Sequence, residues 1–143
     1  MRKRWLWGLT AIVLGVALYM FTGSPLSNND HTMLALGRLD FLPAMALVLL
    51  NKIVRKAAHL LVYAFMAICL RNALYPWRWT YPAAWLLTTL YGASDEFHQI
   101  YVWGRTPLFT DVLIDSLGAA IALFIIYWSH RKRRRRLYGS QTS

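Results

Sequence analysis

The chain reads as an all-α integral membrane bundle of four transmembrane helices, with an extra amphipathic or re-entrant segment after the first span and both termini cytoplasmic. Three observations predict this class. Of 143 residues, 57% are hydrophobic, above the roughly 45–50% of ordinary soluble domains. Those residues gather into four runs, and the short segments between them hold most of the proline and charge, as expected of one membrane domain. The basic residues are also distributed unevenly between alternate segments, in the way that orients membrane helices.

The first span, residues 5–22, follows the basic start MRKR. Its apolar part exceeds the roughly 7–15 residues of a cleaved leader and no A-x-A-like site follows Phe21, so it reads as a retained anchor. Residues 24–51 are long for a simple loop and contain TMLALG and FLPAMALVLL, broken at Pro43; they suit a re-entrant or interfacial segment over the outer face. The second span, 53–71, carries Arg55, Lys56 and His59, and the third, 78–96, ends in Ser94, Asp95 and Glu96. Spans that tolerate such costly groups are functional candidates. The fourth, 108–129, leads into RKRRRR, and residues 131–143 read as a disordered basic cytoplasmic tail at the membrane surface.

With four spans the start MRKR, the loop RNALYPWRWT and the tail share one side and hold eleven of the 16 basic residues. The other five, Arg38, Lys52, Arg55, Lys56 and Arg105, fall opposite together with all six acids. The positive-inside rule then places the termini on the cytoplasmic side of the membrane. This flanking pattern accounts for the net charge of +10 through topology and attraction to anionic headgroups, so nucleic acid is not an expected partner. The lone Cys69 allows no internal disulfide and reads as packing.

Helical rise of about 1.5 Å per residue places the polar groups in depth. His59 lies about 18 Å and Lys56 about 22 Å from Arg71, and Asp95 about 26 Å from Arg78. Asp115 and Asp111 lie about 24 and 30 Å from Arg131. In a hydrocarbon core about 30 Å thick, three spans thus bring charge to the same outer level. Spacings of three and four put Lys56, His59 and Tyr63 on one face, Tyr91, Asp95 and His98 on another, and Asp111, Asp115, Gly118 and Ala122 on a third. Mutual pairing of these inward stripes relieves the insertion cost of about 2.5–3.5 kcal/mol per charge. Gly118 with Ala122, and Ala11 with Gly15, are small-xxx-small pairs that let helices approach.

KAAHLLVY at 56–63, SDEFHQ at 94–99, Gly104-Arg105 and TDVLIDSLGA at 110–119 together resemble the VanZ-like family of small bacterial membrane proteins, over a motif core of residues 51–122. The resemblance implies a multi-helix membrane protein and a link, through the founding member, to resistance to the glycopeptide teicoplanin. Asp115 stands where the family pattern often has Asn, and Trp103 where a Pro commonly precedes the Gly-Arg. The extra acid beside Asp111 favours proton sharing or cation binding, and Trp103 suits an interfacial anchor.

Three functional readings stay open. In the first, Arg55, Lys56 and Arg105 clamp an anionic envelope lipid or lipid-linked cell-wall precursor at the outer face, with Tyr63, Gln99, Asp111 and Asp115 lining the site. Asp95, Glu96, His98 and His59 then form a catalytic, proton-handling group. In the second, Asp111, Asp115, Glu96 and His59 form a proton or cation relay in a small transporter. In the third, the polar residues only lock the bundle. No metal is expected, because D-E-x-H lacks the i, i+4 histidine pair and three basic residues oppose a cation. No cofactor is expected either, and nothing resembles a nucleotide-binding loop.

Overall fold

The computed structural model describes residues 3–22, 43–102 and 108–139. Four helices follow in order: α1 over Arg4–Thr22, α2 over Ala44–Leu74, α3 over Thr80–Gln99 and α4 over Phe109–Gly139. There is no strand among the described residues. Three helices are long and apolar enough to cross a membrane, by windows at Arg4–Thr22, Met45–Leu74 and Phe109–Arg135. α3 has 20 residues, about 30 Å of helix, but its Thr, Tyr and Ser together with Asp95, Glu96, His98 and Gln99 dilute its apolarity.

Proline sets two of the helix boundaries. Pro43 caps α2 in the extended conformation, with ψ 147°, and the helix starts directly after it because a proline ring cannot follow a helical turn. Residues 44–51 therefore belong to α2, which corrects the expectation that they form part of a re-entrant segment. The remainder of that expected segment, 24–42, lies outside the described residues. At the other end Tyr75 is extended, with ψ 138°, as a residue before proline prefers. The Arg71 carbonyl left open there accepts from the Tyr75 backbone N–H at 3.1 Å and from Thr80 Oγ1 at 3.0 Å, so the α2 terminus is satisfied by the turn that starts α3.

α4 also runs past its expected end. The basic segment from Arg131 continues the helix as far as Gly139 rather than forming a disordered tail. Arg and Lys are strong helix formers, and cations near a helix C-terminus complement its dipole.

α2 is the centre of the bundle and packs on α1, α3 and α4; α3 also packs on α4 and only lightly on α1. α2 and α4 run side by side in the same direction. Their contact is closest at Gly118, where an added Cβ would lie 2.8 Å from Leu60 Cγ and 2.9 Å from the Leu60 carbonyl oxygen. Ala67, Ala84, Ala119 and Leu123 form a small-residue apolar core in the half of the bundle nearer Arg71. The other half buries mostly polar side chains, Thr22, Asn51, Asp95, Glu96, Gln99 and Asp115, together with Tyr63 and Val112. Large apolar side chains face outward, among them Ile12, Val16 and Met20 of α1 and Leu117, Phe124 and Ile125 of α4. A surface of that kind suits lipid rather than water.

Candidate functional site

The buried face of α3 is Thr80, Ala84, Thr88, Gly92, Asp95, Glu96 and Gln99, a stripe at spacings of mostly four that begins small and ends polar. At its polar end Asp95, 1% exposed, accepts hydrogen bonds from three helices. Thr22 of α1 donates to Oδ1 at 2.7 Å. Tyr63 of α2 donates to Oδ2 at 3.3 Å, and Gln99, one turn along α3, donates to Oδ2 at 3.1 Å. A carboxylate can accept all three because it has two oxygens and no donor of its own.

α4 meets the α2 stripe rung by rung. Lys56 Nζ lies 2.7 Å from Asp111 Oδ1 in a part-exposed ion pair. One turn deeper, His59 Nδ1 lies 3.8 Å from Asp115 Oδ2, and Asp115, 2% exposed, has an Oδ1 with no hydrogen-bond partner. The His59 ring stacks on Tyr63 with centroids 6.1 Å apart, and Tyr63 in turn reaches Asp95. A line of polar groups therefore crosses the bundle, from Asp115 through His59 and Tyr63 to Asp95 and Thr22. Gly92 makes room for it: a Cβ there would sit 3.4 Å from the Tyr63 ring and 3.7 Å from Asp115 Cβ.

Asp95, Glu96 and His98, read from the sequence as one proton-handling group, each have partners of their own in the structure. At about 100° of rotation per residue Glu96 turns away from Asp95, whereas His98, three positions on, stays on the Asp95 side of α3 and meets a different helix. Glu96 accepts from the Leu108 backbone N–H at 3.0 Å, placing its carboxylate at the start of α4, where an anion is favoured by the unpaired N–H groups. His98 turns toward α1 and stacks on Tyr19, with centroids 3.9 Å apart and planes 23° apart; its Nδ1 is buried without a hydrogen-bond partner. Arg55 is half-buried next to Lys56 on α2. Arg105 lies outside the described residues. Among the described residues no group of three or more His, Cys, Asp or Glu is placed to hold a metal ion.

Two participants carried little signal in the sequence. Thr22 has its partner 73 positions away, and no local pattern marks it. Gly92 was readable in principle, because Ala84, Thr88 and Gly92 recur at a spacing of four and Asp95 follows Gly92 by three, on the same side of the helix. Tyr91, on the adjacent face, donates its hydroxyl to the Gly15 carbonyl and lies against the site that a Gly15 Cβ would occupy. Of the small pair Ala11 and Gly15, Gly15 thus receives α3's tyrosine.

Comparison with curated proteins and with solved structures finds no match. A family model described as VanZ/LLP1 does match, over residues 6–130, a span that includes most of α1 and both polar stripes of α2 and α4. With most of its length matched by that model, the chain belongs to the VanZ/LLP1 family.

Proposed function

We propose that the protein crosses the bacterial cytoplasmic membrane four times, with α3 as the third crossing and both termini cytoplasmic, and that its polar site faces outward. There it recognises or modifies an anionic envelope lipid or lipid-linked cell-wall precursor. Arg55, Lys56 and Arg105 form the rim that meets a phosphate or carboxylate, which arginine binds bidentately. Asp115, His59, Tyr63 and Asp95 form the interior. The observation that carries the reading is Asp115 Oδ1, a buried carboxylate oxygen with no donor, one turn below the part-exposed Lys56–Asp111 pair. Buried acceptors are nearly always satisfied, so this oxygen is suited to receive a hydroxyl or a proton from a ligand seated on the rim.

A second reading, a proton or cation relay, is favoured by the alignment of Asp115, His59, Tyr63 and Asp95 across the bundle, a line that contains an imidazole able to change charge near neutral pH. One experiment separates the two. Full-length protein is purified, its co-purifying lipids are identified by mass spectrometry, and the wild type is compared with Lys56→Ala and Arg105→Ala. The lipid reading expects a headgroup-selective anionic lipid or precursor that falls by roughly tenfold in each variant, the loss of one charge-assisted contact. Absence of any selective lipid would sink it. If proteoliposomes then show pH-driven flux that Asp115→Asn removes, the relay takes its place. Glycopeptide susceptibility of cells carrying the same variants is the phenotype to which the family resemblance points.

A further inference from the structure

The opposite end of the bundle holds a second polar site, built around arginine. Arg71, near the C-terminal end of α2, is only 8% exposed. Its Nη2 lies 3.2 Å from the Tyr81 hydroxyl and 3.3 Å from His130 Nδ1, and its guanidinium carbon stands 5.2 Å over the Tyr75 ring and 5.1 Å from that of Tyr81. Its Nε is buried with no hydrogen-bond partner. The four acids among the described residues all belong to the other end, so Arg71 is a buried cation held by aromatic rings and neutral groups, with no acidic partner among the described residues. Burying a charge in that way is costly unless an opposite charge meets it.

Beside it opens a groove of about 800 Å³ between the α2–α3 turn and α4, lined by Arg71, Arg78, Arg131, Arg134 and Arg135 with no acidic side chain. That volume falls within the range of ligand sites. The remainder of its wall includes Trp77, Tyr81 and Tyr127, residues that favour the membrane boundary. Along α4, a turn or two closer to the bundle centre, Phe124, Ile125 and Trp128 line a shallow apolar depression of about 280 Å³.

We propose that this arginine groove is a binding site for the phosphodiester headgroup of an anionic phospholipid, with Arg71 at its base and Arg131 and Arg134 at its mouth. Arginine forks match phosphate oxygens bidentately, and basic pockets between membrane helices on the cytoplasmic side bind such headgroups. The aromatic wall of Trp77, Tyr81 and Tyr127 and the membrane-boundary position such residues favour suit a lipid rather than a free phosphate. The site is separate from the carboxylate line and is independent of the function proposed for it.

The test uses the full-length protein in a neutral detergent, titrated with dioctanoyl phosphatidylglycerol, dioctanoyl phosphatidylcholine or inorganic phosphate, with thermal midpoint and tryptophan fluorescence as readouts. Arg131→Ala and Arg134→Ala change exposed side chains and leave the Arg71 cluster in place. Lys132→Ala removes an equal charge from the same run but from outside the groove. The expected result is a saturable shift with phosphatidylglycerol and none with phosphatidylcholine, weakened roughly tenfold in Arg131→Ala and Arg134→Ala and unchanged in Lys132→Ala. Equal shifts with both lipids, or equal weakening by all three substitutions, would overturn the site in favour of diffuse surface attraction. A full shift with inorganic phosphate alone would overturn the lipid assignment.

Discussion

Asp95 and Asp115 are both carboxylates buried at the same end of the bundle, yet their surroundings ask different things of them. Asp95 accepts from Thr22, Tyr63 and Gln99, so every donor around it depends on an all-acceptor side chain. Asp95→Asn sets an NH₂ against at least one of those donors and should destabilise the protein by about 1–3 kcal/mol, read as a lowered thermal midpoint in detergent. Asp115 receives no hydrogen bond at Oδ1 and faces His59 at 3.8 Å, so Asp115→Asn should change the midpoint by less than about 1 kcal/mol. A large loss for Asp115→Asn and none for Asp95→Asn would reverse the assignment of structural and functional carboxylates. Sequence spacing alone treats the two alike: it puts both on inward faces but does not count donors, and the decisive donor Thr22 sits a whole helix away.

The inward faces of the helices were the legible part, because a spacing of three and four fixes which side chains share a face whatever the partner. Lys56, His59 and Tyr63 do meet Asp111, Asp115 and Asp95. The ends of the elements were less legible. Hydropathy marks where apolar composition stops, whereas a helix stops where its hydrogen bonding does; hence α4 continues to Gly139 past its apolar run, and α2 starts at Ala44 and runs on through Asn51 and Lys52, which separate two apolar stretches in the sequence. The small-residue pattern was ambiguous until the contacts could be compared. Gly118 is the tight one: its missing Cβ would press on the Leu60 backbone, which cannot rotate away, so Gly118→Ala should cost about 1–3 kcal/mol through forced separation of α2 and α4, against at most about 1 kcal/mol of helix propensity gained. At Gly92 the nearest atom is a side-chain ring at 3.4 Å, and Gly92→Ala should be near neutral. Comparing the two midpoints checks the geometry, and a near-neutral Gly118→Ala would show that the helices do not cross there.

At the scale of the whole molecule, the fold sorts charge by end. Arg4 donates to the Ala73 carbonyl at 3.3 Å, which brings the start of α1 to the end of α2, and Arg71 meets His130 of α4; the basic segments of three helices therefore share one end. Lys56, Asp95, Glu96, Asp111 and Asp115 share the other. An antiparallel α3 of about 30 Å is what lets α2 and α4 run in the same direction between these ends. If α3 is a true crossing, the basic end is cytoplasmic by the positive-inside rule, and the carboxylate line opens on the outer face. Single-cysteine labelling of intact cells or right-side-out vesicles tests the orientation. Cys69 is fully buried, and Cys69→Ala supplies a cysteine-free background at the cost of a small change in volume. In that background Tyr101→Cys, at a residue 75% exposed just past α3, should react with a membrane-impermeant maleimide added outside. Lys132→Cys, in the exposed part of α4, should react only after permeabilisation. The opposite pattern would invert the protein and put the carboxylate site in the cytoplasm, whereas labelling of both from outside would mean that α3 and α4 together fail to separate the two ends across a membrane.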